Sequence, residues 1–185
     1  MLDFTGPALP LPAESTVVTT PRKGERRRGT RLGFGQQLVL LSWNLLAPPY
    51  KRMGGGVREA ELSDTWHARV LSQIEYVRSV EPDIVSLQEF WCAEPGFVAM
   101  WASFCEEEGY HMLTTQRTSG KADGLCVLVR ENIELELGVG VHGSFSFNDW
   151  GDRIVQVVRI PVADEFLAVI NTHLTFPHAN DHDGP

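Results

Sequence analysis

Short apolar runs alternate with stretches of helical period along this chain, and that alternation limits the fold more than any other feature. Leu38-Val39-Leu40-Leu41-Ser42-Trp43 and Ile84-Val85-Ser86-Leu87-Gln88 are continuous enough to be buried strands. Between them, Trp66, Val70, Ile74 and Val77 recur at i, i+4, i+8 and i+11, one face of a helix expected over residues 58–80. Pro82 stops it. Phe97, Met100, Trp101, Phe104 and Cys105 mark a second amphipathic helix, ended by Gly109. Strands are then expected over about 110–115, 124–130, 132–141, 153–160 and 165–171, with Leu125-Cys126-Val127-Leu128-Val129 the most central. Strand, helix, strand, helix and several strands predict an α/β layered fold with a mixed sheet.

The start of the chain reads differently. Residues 1–36 hold Pro7, Pro10, Pro12 and Pro21 and the basic run Arg22-Lys23-Gly24-Glu25-Arg26-Arg27-Arg28, and a disordered tail is expected there. The basic run suits a localisation signal, an electrostatic arm or plain solvated charge, the last being favoured. Residues 37–185 form one domain by length. A net charge of -8 argues against a protein that coats nucleic acid, but not against a nuclease, because a bound divalent cation supplies positive charge where phosphate sits. Cys92, Cys105 and Cys126 are odd in number and lack CxxC spacing, so neither a disulfide framework nor a zinc site is expected. A reducing compartment, cytoplasmic or nuclear, is the default, with organelle targeting by the basic tail left open. No run approaches the roughly 20 apolar residues of a membrane span, and a monomer is expected.

Three segments place polar residues at the C-terminal end of a buried strand, where α/β sheets build sites. They are Trp43-Asn44-Leu45-Leu46-Ala47, Leu87-Gln88-Glu89 and Ile170-Asn171-Thr172-His173-Leu174. Glu89 is either a strand end turning into water or a ligand for a hard cation. Asn44 either caps a turn or orients a neighbouring carboxylate. His173 is either a satisfied structural histidine or a group that stabilises charge on a transferring phosphoryl.

Taken together, these segments resemble the endonuclease/exonuclease/phosphatase superfamily. Its early Asn motif matches residues 43–47, its Gln-Glu pair matches Gln88-Glu89, and its Asn-Thr-His-Leu motif matches Asn171 to Leu174. The resemblance is to a plant-type branch, through Tyr50-Lys51-Arg52, Asp123-Gly124-Leu125, Asn148-Asp149-Trp150-Gly151-Asp152-Arg153 and the closing run His173 to His178. Some members of that branch carry a calcium-binding EF-hand segment after the catalytic domain. The matching motifs span residues 38 to about 178 in the family's order.

The resemblance implies the N-terminal part of a four-layer α/β/β/α sandwich like that of deoxyribonuclease I. It implies a divalent-metal-dependent phosphoesterase, a nuclease or other phosphodiesterase or a phosphatase. Glu89 would hold Mg²⁺ or Mn²⁺, and Asn44 and His173 would be catalytic. Asn171 and Arg153 are candidate substrate contacts. The substrate would be a phosphate ester of nucleic acid, nucleotide or phospholipid. Arg153 also has a structural reading, pairing with Asp152, which is favoured; Asp123-Gly124 reads as a turn, and Trp43, Phe90 and Trp91 as packing residues.

Two later family motifs, Gly-Asp-x-Asn and a closing Asp-His, are not found. Asp181-His182-Asp183 stands too near His173 to be the second, and Asp181-x-Asp183-Gly184 falls short of an EF-hand loop. A partial domain, inactive alone, is therefore expected, with the inner face around Leu125 to Val129 left exposed. Its alternative function is a non-catalytic fragment or interaction module that keeps the half-fold.

Overall fold

The computed structural model describes residues 31–33, 35–135 and 152–174, with the backbones of Val17–Val18 and His142–Ser146. In chain order the elements are β1 (Val17–Val18), β2 (Leu40–Asn44), α1 (Ser63–Val80), β3 (Ile84–Phe90), α2 (Pro95–Glu108), β4 (Tyr110–Gln116), β5 (Gly124–Arg130), β6 (His142–Ser146), β7 (Ile154–Val162) and β8 (Glu165–Thr172). Strands β1-β4-β5-β3-β2 form one sheet and β6-β7-β8 another. The first is mixed: β2 and β3 are parallel, and the other neighbours are antiparallel.

Both helices end and begin where local chemistry says they should. α1 is followed by Glu81 in the left-handed conformation and then by Pro82, which cannot continue a helix. Its start lies later than the periodicity implies. Glu59–Glu61 form a separate 3-10 turn, closed by the Arg58 amide donating to Glu61 Oε1 at 2.8 Å. α2 opens with Pro95 in its first turn, capped by Glu94, whose carboxylate accepts from the Gly96 amide at 3.1 Å. Gly109 ends it at φ +73.

The helices cover one face of the five-stranded sheet. Trp66, Val70, Ile74 and Val77 of α1, with Phe97, Trp101, Phe104 and Cys105 of α2, pack on Val85, Leu87, Cys126 and Leu128. The opposite face does not lie open, contrary to the sequence expectation. Leu125 to Val129 are each at most 2% exposed. Ile84, Leu113, Val127 and Val129 meet Val158, Ile160 and Val169 of the second sheet. Alternate residues of β5 thus face two different layers, which is why its sequence is an unbroken apolar run. Three layers of the expected four are present among the described residues, with two helices on the outside of a mixed sheet.

Two expectations need correction. The strand read over 132–141 does not begin there: Glu131 and Asn132 turn, Ile133 makes an isolated bridge, and 136–141 lie outside the described residues. Packing also starts before residue 37. Leu32 bridges Val162 in parallel and is buried in the second core. Val17 and Val18 pair with Leu113 and Met112. Residues 1–16, 19–30 and 34 of the segment read as a disordered tail, its basic run included, lie outside the described residues, as does Asp181-His182-Asp183.

Candidate active site

Parallel pairing sets Asn44 opposite Gln88, so β2 and β3 end side by side. Antiparallel pairing sets Val155 opposite Thr172, so β7 begins where β8 ends. Asn44, Glu89, Arg153 and His173, distant in sequence, meet at this corner.

Glu89 reaches it through a bulge. Register between β3 and β5 shifts from Gln88, opposite Leu125, to Phe90, opposite Gly124. Leu87 and Phe90 both join the helix-facing core although strict alternation would set them on opposite faces. Glu89 is the extra residue and sits at φ +50, a conformation that costs a non-glycine residue about 1–2 kcal/mol. Strain of this kind persists where surrounding contacts over-determine it. Here both carboxylate oxygens are held. Asn44 Nδ2 donates to Oε1 at 2.9 Å, and the Ala47 amide donates to Oε2 at 3.1 Å. Asn44 Oδ1 accepts from the Leu46 amide at 2.8 Å, which closes a turn and assigns the orientation of the side-chain amide.

His173 completes the group. Its Nε2 lies 3.8 Å from Glu89 Oε1, and its Nδ1 lies 3.1 Å from Arg153 Nη1. A guanidinium only donates, so Nδ1 accepts from Arg153, and Nε2 also lies 3.4 Å from Asn44 Nδ2. Burial lowers the His173 pKa from its ordinary value, the Arg153 charge lowers it further, and Glu89 opposes both. The balance favours the neutral ring.

Asn171 does not share this surface. It is 2% exposed; Oδ1 accepts from Gln88 Nε2 at 2.8 Å, and Nδ2 donates to the carbonyls of Leu87 (3.0 Å) and Cys126 (3.2 Å). Read from the sequence as a substrate contact, it is a cross-link between the two sheets, beneath the corner. Asp152 sits at φ +50 and accepts from Ser119 Oγ at 2.8 Å, with Lys121 Nζ 3.9 Å from its other oxygen. Phe90 and Trp91 are buried, and Trp43 packs edge-on against Tyr76 at 5.2 Å.

Two acids are buried although the sequence reading left Glu59 unremarked and read Asp123-Gly124 as a turn. Asp123 is 1% exposed and takes the Tyr50 hydroxyl at 2.6 Å and Arg117 Nη1 at 2.8 Å on one oxygen. Burial, and then the bond to Asp123, pushes the Tyr50 hydroxyl up to about 12. Asp123-Gly124 is thus no simple turn. Gly124 opens β5 so tightly that a Cβ would lie 2.1 Å from the Thr115 carbonyl oxygen and 2.9 Å from Cys92 Sγ. That need for glycine is the signal beside Asp123 that a sequence reader could have weighed. The second acid, Glu59, is fully buried between Arg69 and Lys51. Burial would raise its pKa, but the bonds from Arg69 and Lys51 outweigh this and hold it below the usual value.

Among the described residues no group of three or more His, Cys, Asp or Glu side chains is arranged to hold a metal ion. Nor is any helix among them long and apolar enough to cross a membrane.

No family profile matches the chain. An uncharacterized calcium-binding protein of Arabidopsis thaliana is 27% identical over 74% of this chain and 31% of that protein. The human Nocturnin catalytic domain with bound sulfate superposes with a TM-score of 0.56 at 16% identity, over 77% of this chain and 51% of that one. ANGEL2, a 2',3'-cyclic phosphatase, gives 0.54 at 20%, over 75% and 41%. A truncated Caenorhabditis elegans TDP2 gives 0.54 at 19%, over 76% and 47%. The chain spans about half or less of each structure and under a third of the plant protein. It shares the fold of these structures. The plant match, a protein named for calcium binding, is consistent with the plant-type branch that the motif order resembles.

Proposed function

We propose that this chain carries the metal-binding side of a phosphoesterase site, with Glu89 as ligand for Mg²⁺ or Mn²⁺. The bulge at Glu89 carries the reading: a strained carboxylate held on both oxygens by the Asn44–Ala47 turn, with a neutral histidine and an arginine beside it. Each Glu89 oxygen keeps a lone pair beyond its single short hydrogen bond, which suits a cation taking one carboxylate together with water and substrate phosphate. When bound, such an ion polarises a phosphoryl oxygen and neutralises charge on the leaving oxygen. Asn44 holds the carboxylate in register. His173 and Arg153 lie beside it, an imidazole and a guanidinium of the kind that suit a phosphate anion. The substrate is a phosphate ester of nucleic acid, nucleotide or phospholipid.

The experiment is a Mn²⁺ titration of the chain followed by electron paramagnetic resonance of the free ion. Glu89→Gln is expected to weaken binding at least about tenfold. Equal binding by both proteins sinks the assignment.

A second reading keeps the fold and the ion but not turnover, that of a non-catalytic fragment or interaction module. It is favoured by the His173 ring, both of whose nitrogens already meet protein groups, Nδ1 with Arg153 Nη1 at 3.1 Å and Nε2 with Asn44 Nδ2 at 3.4 Å. Bis(4-nitrophenyl) phosphate is expected to stay intact with this chain and Mn²⁺. Hydrolysis that Glu89→Gln abolishes rules the second reading out.

A further inference from the structure

The Asn44–Ala47 turn is clamped from behind. Arg69, on α1, donates from Nη1 to the Leu45 carbonyl at 2.6 Å and from Nη2 to the Leu46 carbonyl at 2.9 Å. Its Nε lies 3.0 and 2.9 Å from the two oxygens of Glu59, which also accepts from Lys51 Nζ at 2.7 Å. Gln73, one turn further along α1, donates to the same Leu45 carbonyl at 3.1 Å. The guanidinium is thus fixed by a fully buried carboxylate, and its two free corners are spent on consecutive backbone carbonyls.

Those two carbonyls belong to the peptide units that serve the site. The unit joining Leu45 to Leu46 presents C=O to Arg69 and N–H to Asn44 Oδ1. The unit joining Leu46 to Ala47 presents C=O to Arg69 and N–H to Glu89 Oε2. In a trans peptide the two groups point in opposite directions. Fixing the carbonyl therefore aims the amide. Leu46 sits at φ +54 with its side chain 43% exposed, so its own packing explains little of a conformation that leucine avoids. The bonds on either side of it do.

We propose that Arg69 is a positioning residue for the Glu89 carboxylate, acting through the two peptide units of the Asn44–Ala47 turn, with Glu59 and Lys51 holding Arg69 in place. The inference rests on the reading of Glu89 as a metal ligand for its consequence, though not for its geometry. Arg69→Lys keeps the charge but cannot fork between two carbonyls and a carboxylate. Leu46→Gly removes the side chain that disfavours positive φ, so the turn needs the clamp less.

The test uses the full chain and two readouts. In the metal-free protein, amide hydrogen exchange at Ala47 is expected to lose protection in Arg69→Lys while Val127 in β5 keeps its own. In Mn²⁺ titration, Arg69→Lys is expected to bind about tenfold more weakly, the usual scale for residues that orient a ligand. Adding Leu46→Gly to Arg69→Lys should recover most of that loss, which repair of a general folding defect would not do. Ala47 protection unchanged by Arg69→Lys overturns the proposal, as does a tenfold loss that Leu46→Gly leaves in place. If Arg69→Lys fails to fold, Leu46→Val replaces it: an exposed β-branched residue resists positive φ without touching the core. It should cost Ala47 protection and Mn²⁺ affinity together; retention of both overturns the proposal. Mn²⁺ binding that ignores Glu89→Gln defeats the functional reading alone, because Ala47 exchange still decides the clamp.

Discussion

The two faces of the five-stranded sheet are built differently. The helix-covered face is aromatic: Trp66, Phe90, Trp91, Phe97, Trp101 and Phe104 form a chain of edge-on and tilted ring contacts with centroids 5.1–6.3 Å apart. The face toward the second sheet is aliphatic, with Leu113, Val127, Val129, Val158, Ile160 and Val169. The site lies where the two systems meet, and each delivers half of it. Phe90 anchors the strand that carries Glu89, and β7 and β8 deliver Arg153 and His173. A site made this way inherits two supports of unequal strength, and the halves can be loosened separately.

The largest expected effect comes from the aromatic side. Phe90→Ala removes a fully buried ring next to the Glu89 bulge and should cost about 3–5 kcal/mol in urea unfolding. Ile160→Ala on the aliphatic side should cost about 2–4 kcal/mol and disturb His173 more than Glu89. Chemical-shift changes at the His173 ring against those at the Ala47 amide would check that split. If both variants perturb both groups equally, the two-support picture is wrong. Asn171→Ala, which cuts the cross-link between the faces and strands the Leu87 and Cys126 carbonyls, should cost about 1–3 kcal/mol.

Smaller effects mark the periphery. Tyr50 has its folded pKa raised from the ordinary 10.0 to about 12, so folding favours its protonated form. Its contribution is complete below pH 10 and is lost as pH rises toward 12. Tyr50→Phe should flatten part of that alkaline loss, which it shares with Tyr110, Cys92 and Cys105, all raised to about 12 by burial, and with the buried Cys126 thiol, also raised. Thermal melts across this range measure it. Arg78→Ala should change stability least in urea unfolding, although Arg78 contacts Glu75, Glu107 and Glu108 between α1 and α2, because the pairs lie at the surface.

Much of this was legible along the chain because it is local. The helix face of Trp66, Val70, Ile74 and Val77, the stops at Pro82 and Gly109, and the apolar strands all follow from periodicity and backbone chemistry. Asn44, Glu89 and His173 were legible as polar residues ending apolar strands. Asn171 carries the same signature yet faces inward, because a period of two says which residues share a face and nothing about what covers it. The burial of Glu59 and Asp123 was not legible, although Asp123 was read as part of a motif and a turn. An acid in a polar loop reads as solvated unless a cation elsewhere in sequence comes to neutralise it, as Arg69 and Arg117 do.

By itself, then, the sequence determined both helices, the strands β2, β3, β4, β5, β7 and β8, and which of their ends carry polar residues, though not the extent of the strand read over 132–141. These depend on neighbours within a few residues. Tertiary structure alone decided that the face around Val127 is covered, that a bulge turns Glu89 toward Asn44, and that an arginine behind the turn aims the amide that holds it. Each of those rests on contacts between residues far apart in the chain, where register and packing, rather than local preference, set the geometry.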